Sequence, residues 1–371
     1  MKYLFVNSVY GVRSTGKIIL EQCRNLQAQG HQCAVAYGRE AVEDPTVEQI
    51  RIGNTLDQQF HAVMTRLFDL HGFCSRHATK QFLKAVEAYQ PDVIWMHNIH
   101  GYYLNIELWF EWLKAHPGIR KIWTLHDCWA FTGHCAYFTM ARCEQWRTEC
   151  RKCSGYQKRS YPKTLLGART GANFHEKKAA FCDVRNLELI TPSKWLADLV
   201  GESFLREYPV SVVHNTVDTK MFHPVESDYK QRHGLQKRYI VLGVAVGWEK
   251  TKGLQDMLAL RELLSPRYVM ILVGVPKRVI PGLPQGVIAY ERTANQEKLI
   301  ELYSAADVLV NPTHQDNYPT VNLEARACGT PVVTYNVGGS PESAGYEYIV
   351  EENDVAGLAE KVRSICERHA F

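Results

Sequence analysis

Short apolar runs alternate with longer amphipathic stretches along the whole chain, and this alternation restricts the fold more than any other feature. The runs in the first half are Tyr3–Val6, Gln32–Ala36, Val93–His97, Lys121–Leu125 and Glu188–Thr191. Those in the second are Val210–Val213, Tyr239–Val244, Tyr268–Val273, Val287–Ala289, Val308–Val310 and Val332–Thr334. A buried strand followed by an amphipathic helix is a βαβ unit, and such units build parallel sheets covered on both faces. A chain of 371 residues is long for a single core. Two α/β domains are therefore expected, with the boundary in 192–215. There Thr191-Pro192-Ser193 opens a helix, and Val213 to Asp218 leads into Phe222 and Pro224. The expected domains are residues 1–200 and 201–354, with 355–371 as a closing helix. No internal repeat or low-complexity segment interrupts them.

The stretch 311–331, NPTHQDNYPTVNLEARACGTP, carries the most chemistry. Ala306 to Pro312 reads as a strand entering a loop. A helix follows and is ended by Gly329 and Pro331. Asp316 lies in the loop and Glu324 in the helix, eight positions later. Ligands of open α/β sheets bind where strand ends meet helix N-termini. Free N–H groups and the helix dipole favour phosphate there. A carboxylate just inside the helix suits ribose hydroxyls. The site fits a nucleotide diphosphate carrying a group with hydroxyls.

This segment resembles the acid-x7-Glu signature of the retaining glycosyltransferases of family 4, which have the GT-B fold. Members usually have Glu at the first position, where Asp316 is one methylene shorter. The resemblance runs from Arg292-Thr293-Ala294-Asn295-Gln296 through Tyr303 to Asp307 and on to Gly338-Gly339-Ser340-Pro341-Glu342. It implies two Rossmann-like doubly wound parallel-sheet domains facing a central cleft. The first would be the acceptor side and the second would hold a nucleotide sugar. In that fold the closing helix returns to the first domain; here the return is expected to be abbreviated, or the chain itself to be shortened.

Two glycine-bearing turns suit phosphate. Ser8 to Lys17 contains Gly11 and Gly16 ahead of a helix that Ser14 could cap. Its order is neither that of a Walker loop nor G-x-G-x-x-G. The resemblance makes it the glycine loop that faces donor phosphate and acceptor. Leu242 to Leu254 holds Lys252-Gly253, matching the family lysine that meets the diphosphate. The family arginine five residues earlier is Gly247 here, and Lys250 is a candidate replacement. Positive charge is needed because the leaving nucleoside diphosphate gains charge as the glycosidic bond breaks. The resemblance thus assigns the donor to Gly11, Gly16, Gly247, Lys252, Arg292, Asp316, Asn317, Tyr318, Pro319, Thr320, Val321 and Glu324.

Histidines cluster at two strand ends of the first half, His97-Asn98-Ile99-His100-Gly101-Tyr102 and Thr124-Leu125-His126-Asp127. The second resembles the family motif whose His contacts the transferred sugar, a role carried to His126. Asp127 would orient the histidine or act on the acceptor hydroxyl. His97, Asn98 and Tyr102 are expected on the acceptor side. The expected catalytic set is His126, Asp127, Asp316 and Lys252.

Eleven cysteines scattered through a large α/β chain point to thiol or metal chemistry rather than a disulfide framework. Cys135, Cys143, Cys150 and Cys153 give C-x7-C-x6-C-x2-C within a Cys-rich insert at about 128–160. Four thiolates suit a closed structural zinc site. No Asp-x-Asp motif serves a catalytic metal, so no catalytic cofactor is expected.

Between Arg142 and Lys178 ten Lys/Arg face three acids, with Trp146, Tyr156 and Tyr161 interleaved. Such a segment suits an anionic bilayer surface, a polyphosphate acceptor or nucleic acid. No apolar run approaches the roughly 20 residues of a membrane span, and the N-terminus lacks a signal peptide's apolar core. A cytoplasmic protein, peripheral on the inner face of the cell membrane, is expected.

The resemblance implies transfer of a sugar from a nucleoside-diphosphate sugar, UDP- or GDP-linked, with retention of configuration. His-Asn-Ile-His-Gly-Tyr-Tyr and the Cys-rich segment resemble exopolysaccharide, capsule or colanic-acid-type transferases. The implied acceptor is a polyprenyl-diphosphate-linked glycan, and no nucleic acid partner is expected. The alternatives are a GT-B sugar-nucleotide epimerase, which needs no acceptor, and a basic nucleic-acid-binding module. A glycosidase fits poorly, because its two acids should straddle one bond.

Overall fold

The computed structural model describes residues 1–165 and 169–368. The chain forms two compact units, Met1–Val213 and His214–Phe371. The first is built on β1 (Lys2–Asn7), β2 (Gln32–Tyr37), β3 (Glu48–Arg51), β4 (Val93–Met96), β5 (Arg120–Thr124), β6 (Leu187–Thr191) and β7 (Val210–Val212). Their order is β3-β2-β1-β4-β5-β6-β7, with all neighbours parallel. The second contains β8 (Tyr239–Val244), β9 (Tyr268–Val273), β10 (Val287–Tyr290), β11 (Val308–Asn311), β12 (Val332–Tyr335) and β13 (Tyr348–Val350). Their order is β10-β9-β8-β11-β12-β13, again parallel throughout.

Both sheets carry helices on both faces, and their central strands are buried apolar runs. β9 is buried at every residue, and β1 at every residue but its first. In each sheet the strand order reverses at one point, between β1 and β4 and between β8 and β11. Loops leaving neighbouring strands there diverge to opposite faces and leave a crevice at the carboxyl ends.

The division falls at Val213/His214 rather than 200/201, because Val210–Val212 pairs with β6 as the edge of the first sheet. β3 and β13, which the apolar runs did not reveal, are also edge strands. β3 reads Glu-Gln-Ile-Arg with no buried residue, so it has no hydrophobic run to detect. Ser193 starts its helix as anticipated, its hydroxyl accepting from Leu196 N–H. Ser14 caps nothing. The helix begins at Arg13, with Val12 at the cap and no side-chain bond. The closing helix, Val355–Arg368, buries Leu358, Val362 and Ile365 in the core of the second unit, on Leu254–Leu263 and β11–β13. Residues 369–371 of the expected helix lie outside the described residues.

Candidate active site

In the second unit the loops after β8, β11 and β12 converge at the switch point. Gly253, at φ +72°, ends the turn after β8, where an added Cβ would stand 2.1 Å from the Pro312 carbonyl oxygen. Thr251 C=O accepts from His314 N–H (2.9 Å) and Thr313 Oγ1 (3.2 Å), tying this turn to the loop after β11. Gly338, at φ +59°, presses the loop after β12 against Asp316, with room for a Cβ only 1.9 Å from the Asp316 carbonyl oxygen. These approaches bring Lys252 Nζ to 2.6 Å from Asp316 Oδ2. The side chains remain 32% and 21% exposed, so the pair is accessible to a ligand.

Gly253→Ala is expected to lower the stability of the second unit by about 2–4 kcal/mol, from backbone strain and a displaced loop. Urea unfolding of the full chain measures it. An unchanged midpoint would show that the loops do not depend on this contact.

The helix after Asp316 is Thr320–Ala327, preceded by Pro319, with no side-chain cap. Of its first N–H groups, that of Asn322 donates to the Pro319 carbonyl (3.2 Å), which leaves those of Thr320 and Val321 for an anion. Glu324 lies in its second turn. Glu324 Oε2 accepts from the Tyr303 hydroxyl at 2.8 Å. Tyr303 is fully buried, and burial followed by the Glu324 charge raises its phenol well above the usual range, so it stays a donor. Asn322, on the buried face, bonds Asn311, Ser340 and Ser343 and locks the helix to β11 and the loop after β12. Tyr318 is buried and stacks on His214, centroids 4.9 Å apart. Asn317 is buried, whereas Thr320 and Val321 are half-buried. Gly247 is at φ +74° with open space around it. Arg292 is exposed and follows the edge strand β10, two strands from β8. No hydrogen bond or ion pair among the described residues joins it to Lys252 or Asp316.

Reading by motif missed the supports. His314, inside the quoted stretch, bonds Asp256 Oδ2 through Nε2 and Glu352 Oε1 through Nδ1, each at 2.9 Å. The Asp256 hydrogen bond, with help from Glu352, holds its pKa above the ordinary value against burial. Tyr303 and Asn322 belong to the same group of positioning residues. The Asp-x7-Glu order, Lys252-Gly253 and Gly338 to Glu342 marked this neighbourhood in the sequence, but none of them named these supports.

In the first unit the glycine turn folds on itself. Gly11 N–H donates to Gly16 C=O at 3.0 Å, and Gly11, at φ +70°, packs on Val42. Asn7, at the end of β1, accepts from Asn98 N–H (3.1 Å), joining this turn to the loop after β4. His97 is buried, and its Nδ1 lies 3.0 Å from His126 Nε2. It therefore meets His126 and positions it. Burial lowers His126 to about 4 and His97 well below its usual value, so both rings are neutral at neutral pH. Asp127 uses both carboxylate oxygens internally, Oδ2 with His100 Nε2 (3.1 Å) and Oδ1 from Trp129 N–H (2.9 Å). Burial raises its pKa, but His100 and the Trp129 N–H outweigh that, and Asp127 stays ionised. Asp127 thus orients His100 rather than His126. The chain continues from His100 Nδ1 to the Tyr161 hydroxyl (3.3 Å) and on to His71 Nε2 (3.2 Å). Tyr102, at φ +72°, packs edge-on against His71 and His61. His100 stood in a quoted motif without a role of its own, and His61, His71 and Tyr161 were given none, because nothing in their spacing announces that they meet.

The neutral histidines give the first unit a pH signature. Burial lowers His61 to about 4. From pH 6.5 down to about 4 the unfolded chain takes up protons at these rings and the folded chain does not. Stability is therefore full above pH 6.5 and falls towards pH 4, by about 1.4 kcal/mol per pH unit per ring. His61 alone accounts for roughly 3 kcal/mol at pH 4. Tryptophan fluorescence during urea unfolding measures this, since every Trp except Trp248 is in the first unit. A flat profile from pH 7 to 4.5 would contradict it. His314 in the second unit runs the opposite way, its contribution being complete below pH 6.5 and lost at higher pH.

The basic segment is less basic than its composition. Arg147 pairs with Glu144 and Glu202, Arg151 with Glu149, and Arg169 with Glu176. Lys177 is buried. No helix among the described residues is long and apolar enough to cross a membrane.

Two parallel-sheet units, each with its own switch point, have the GT-B architecture. Residues 15–221 match the family described as Glycosyltransferase Family 4, and residues 237–368 the one described as Glycosyl transferases group 1. The chain belongs to Glycosyltransferase Family 4. It is 27% identical over 251 residues to the putative colanic acid biosynthesis glycosyl transferase WcaC of Escherichia coli K12, covering 66% of this chain and 59% of that one. It is 34% identical over 125 residues to the D-inositol 3-phosphate glycosyltransferase of Saccharomonospora viridis, covering 34% of this chain and 23% of that protein. The chain thus spans 59% and 23% of the length of these relatives.

Among solved structures, sucrose-phosphate synthase from Thermosynechococcus elongatus superposes with a TM-score of 0.67 at 18% identity, over 99% of this chain and 90% of that one. WaaG, a glycosyltransferase involved in lipopolysaccharide biosynthesis, gives 0.66 at 15% identity, over 98% and 90%. Anabaena HepE in complex with UDP gives 0.64 at 15%, over 99% and 90%. At these identities the likeness is one of fold. The family matches describe transferases, so the epimerase alternative is not favoured.

Proposed function

We propose that this chain is a glycosyltransferase that takes a sugar from a nucleoside-diphosphate sugar, UDP- or GDP-linked, and retains its anomeric configuration. The observation that carries this reading is the Lys252–Asp316 pair, 2.6 Å apart beside an uncapped helix whose second turn presents Glu324. A cation, free N–H groups and a hydroxyl-accepting carboxylate match the diphosphate and ribose of one ligand. That HepE is seen with UDP-glucose supports this donor class. Glu324, held by Tyr303, accepts from the ribose hydroxyls. Lys252 exchanges Asp316 for the diphosphate and stabilises the charge that develops as it leaves. Asp316 and its loop, with Asn317, hold the sugar. N–H groups from Tyr318 to Val321 complete the phosphate cradle. His126, neutral and fixed by His97, donates to or accepts from a hydroxyl of the transferred sugar. The transfer needs no catalytic metal ion in this reading.

The acceptor in this reading is a polyprenyl-diphosphate-linked glycan for a surface polysaccharide, consistent with the names of WcaC and WaaG. Arg142, Lys152, Lys158, Arg159, Lys163 and Lys178 would hold the protein against the anionic inner face of the membrane. Incubation with UDP- and GDP-sugars and a lipid-linked acceptor tests the reaction. NMR of the product should show the donor's anomeric configuration. Release of no nucleoside diphosphate from any donor, or an inverted product, would overturn it.

A further inference from the structure

We propose that Cys135, Cys143, Cys150 and Cys153 form a structural zinc site that closes the segment Gly133–Cys153. All four line one small cavity of about 10 Å³, the space of roughly one small ion or water. Cys135, Cys150 and Cys153 are buried, Cys143 is partly so, and all four are free thiols. The segment has no strand, only the three-residue turns Thr139–Ala141 and Gln145–Arg147. Its apolar anchors are Ala136, Phe138 and Trp146, buried in the core of the first unit, with Phe138 stacked on Trp146 at 4.9 Å. Segments of this kind are commonly ordered by a metal.

The surroundings are built for sulfur as an acceptor. The Thr170 hydroxyl donates to Cys153 Sγ at 3.3 Å, and Gln157 Nε2 donates to Cys135 Sγ at 4.0 Å. Donors aimed at ligand sulfurs are the usual second layer of a metal–thiolate centre. Gly133 has no room for a side chain, since its Cβ would stand 2.2 Å from the Thr170 carbonyl oxygen and 2.9 Å from Cys150 Cβ. Four thiolates around Zn²⁺ leave an excess of negative charge. Lys177, buried with Nζ on the carbonyls of Trp129 (2.8 Å) and Thr132 (3.0 Å), is the nearby cation to offset it.

The composition of the ring selects the metal. His134 also lines the cavity, but its Nδ1 bonds Asp69 Oδ1 (2.7 Å) and its Nε2 faces the Gln157 carbonyl (3.2 Å). The ligand set is therefore four sulfurs with no open position, the closed tetrahedral arrangement of structural zinc. Among the described residues no three His, Cys, Asp or Glu side chains already stand at coordinating positions. Closing the shell to Zn–S distances of about 2.3 Å takes cysteine side-chain rotations into the cavity. The site is separate from the proposed donor site, and its failure would leave that reading untouched.

The full chain, purified under reducing conditions without a metal-affinity step, is expected to carry close to one zinc per molecule by elemental analysis. Reconstitution of the reduced, metal-stripped chain with Co²⁺ should give the thiolate charge-transfer bands and visible bands of a tetrahedral four-sulfur centre. Cys143→Ser, at the least buried ligand, should lower zinc content severalfold. Cys128→Ser, at a buried thiol outside the ring, should not. Should the Cys143 variant fail to fold, the wild-type zinc content and cobalt spectrum still decide. Near-zero zinc with no uptake on reconstitution, stoichiometric iron instead, or equal loss in both variants would overturn the site.

Discussion

Glu324→Ala is expected to weaken nucleoside-diphosphate binding about 100- to 1,000-fold while leaving the fold intact. Two hydrogen bonds from ribose hydroxyls to a carboxylate contribute about 3–4 kcal/mol together, and each 1.4 kcal/mol is a factor of ten. The side chain is half-buried on a helix anchored elsewhere, by Asn322 and Ala325, so its removal leaves that anchoring in place. Tyr303→Phe separates position from charge. It removes only the 2.8 Å bond that aims Glu324, and a loss of tenfold or less is expected. Calorimetric titration of wild type and both variants measures this. Equal affinity in wild type and Glu324→Ala would remove the ribose role altogether.

The second large effect is expected at Lys252. Lys252→Ala should lower kcat by about 100- to 1,000-fold, the size of effect seen when one donor to developing charge is removed. The loss should fall more on kcat than on KM, because the leaving diphosphate carries most charge at bond breaking. Lys252 and Asp316 are bonded to each other, so their variants should not add. In Lys252→Ala the Asp316 carboxylate faces the incoming phosphate without a counterion. The Lys252→Ala/Asp316→Asn double variant should therefore bind nucleoside diphosphate more tightly than Lys252→Ala alone. A KM rise with unchanged kcat would show that Lys252 serves binding only.

Much of the fold was legible because central strands of parallel sheets are continuous apolar runs, as β1, β8 and β9 are. The edge strands were less so: β7 and β10 showed apolar runs, β3 and β13 did not stand out. β3 has no apolar run to detect, β13 is only the three residues Tyr348–Val350, and Val210–Val212 was read into the wrong half for want of a pairing partner in the sequence. Asp316 and Glu324 were legible because one loop and one helix hold both. The Lys252–Asp316 contact spans 64 positions and arises from strand order, with β8 beside β11. Only the family resemblance linked the two residues beforehand.

The first unit was less legible still. Both histidine motifs were visible, but not the division of labour within them. His97 turned inward to hold His126, and Asp127 turned to His100 instead of His126. Such networks depend on which face each loop residue takes after its strand ends. Apolar periodicity carries no information on that point. The Asp127–His100–Tyr161–His71 chain also draws Tyr161 from the Cys-rich side of the unit. The insert is also joined to His126 directly, the Tyr137 hydroxyl donating to the His126 carbonyl at 3.4 Å.

In the proposed reading the second unit grips a nucleoside diphosphate through Lys252, Glu324 and the helix that begins at Thr320. The most direct test of this reading is thermal stabilisation of the full chain by a panel of nucleotides and nucleotide sugars, with Glu324→Ala alongside. A clear rise in Tm is expected with one nucleoside diphosphate and its sugar, absent in the variant. No rise with any of them, or an equal rise in the variant, would contradict it.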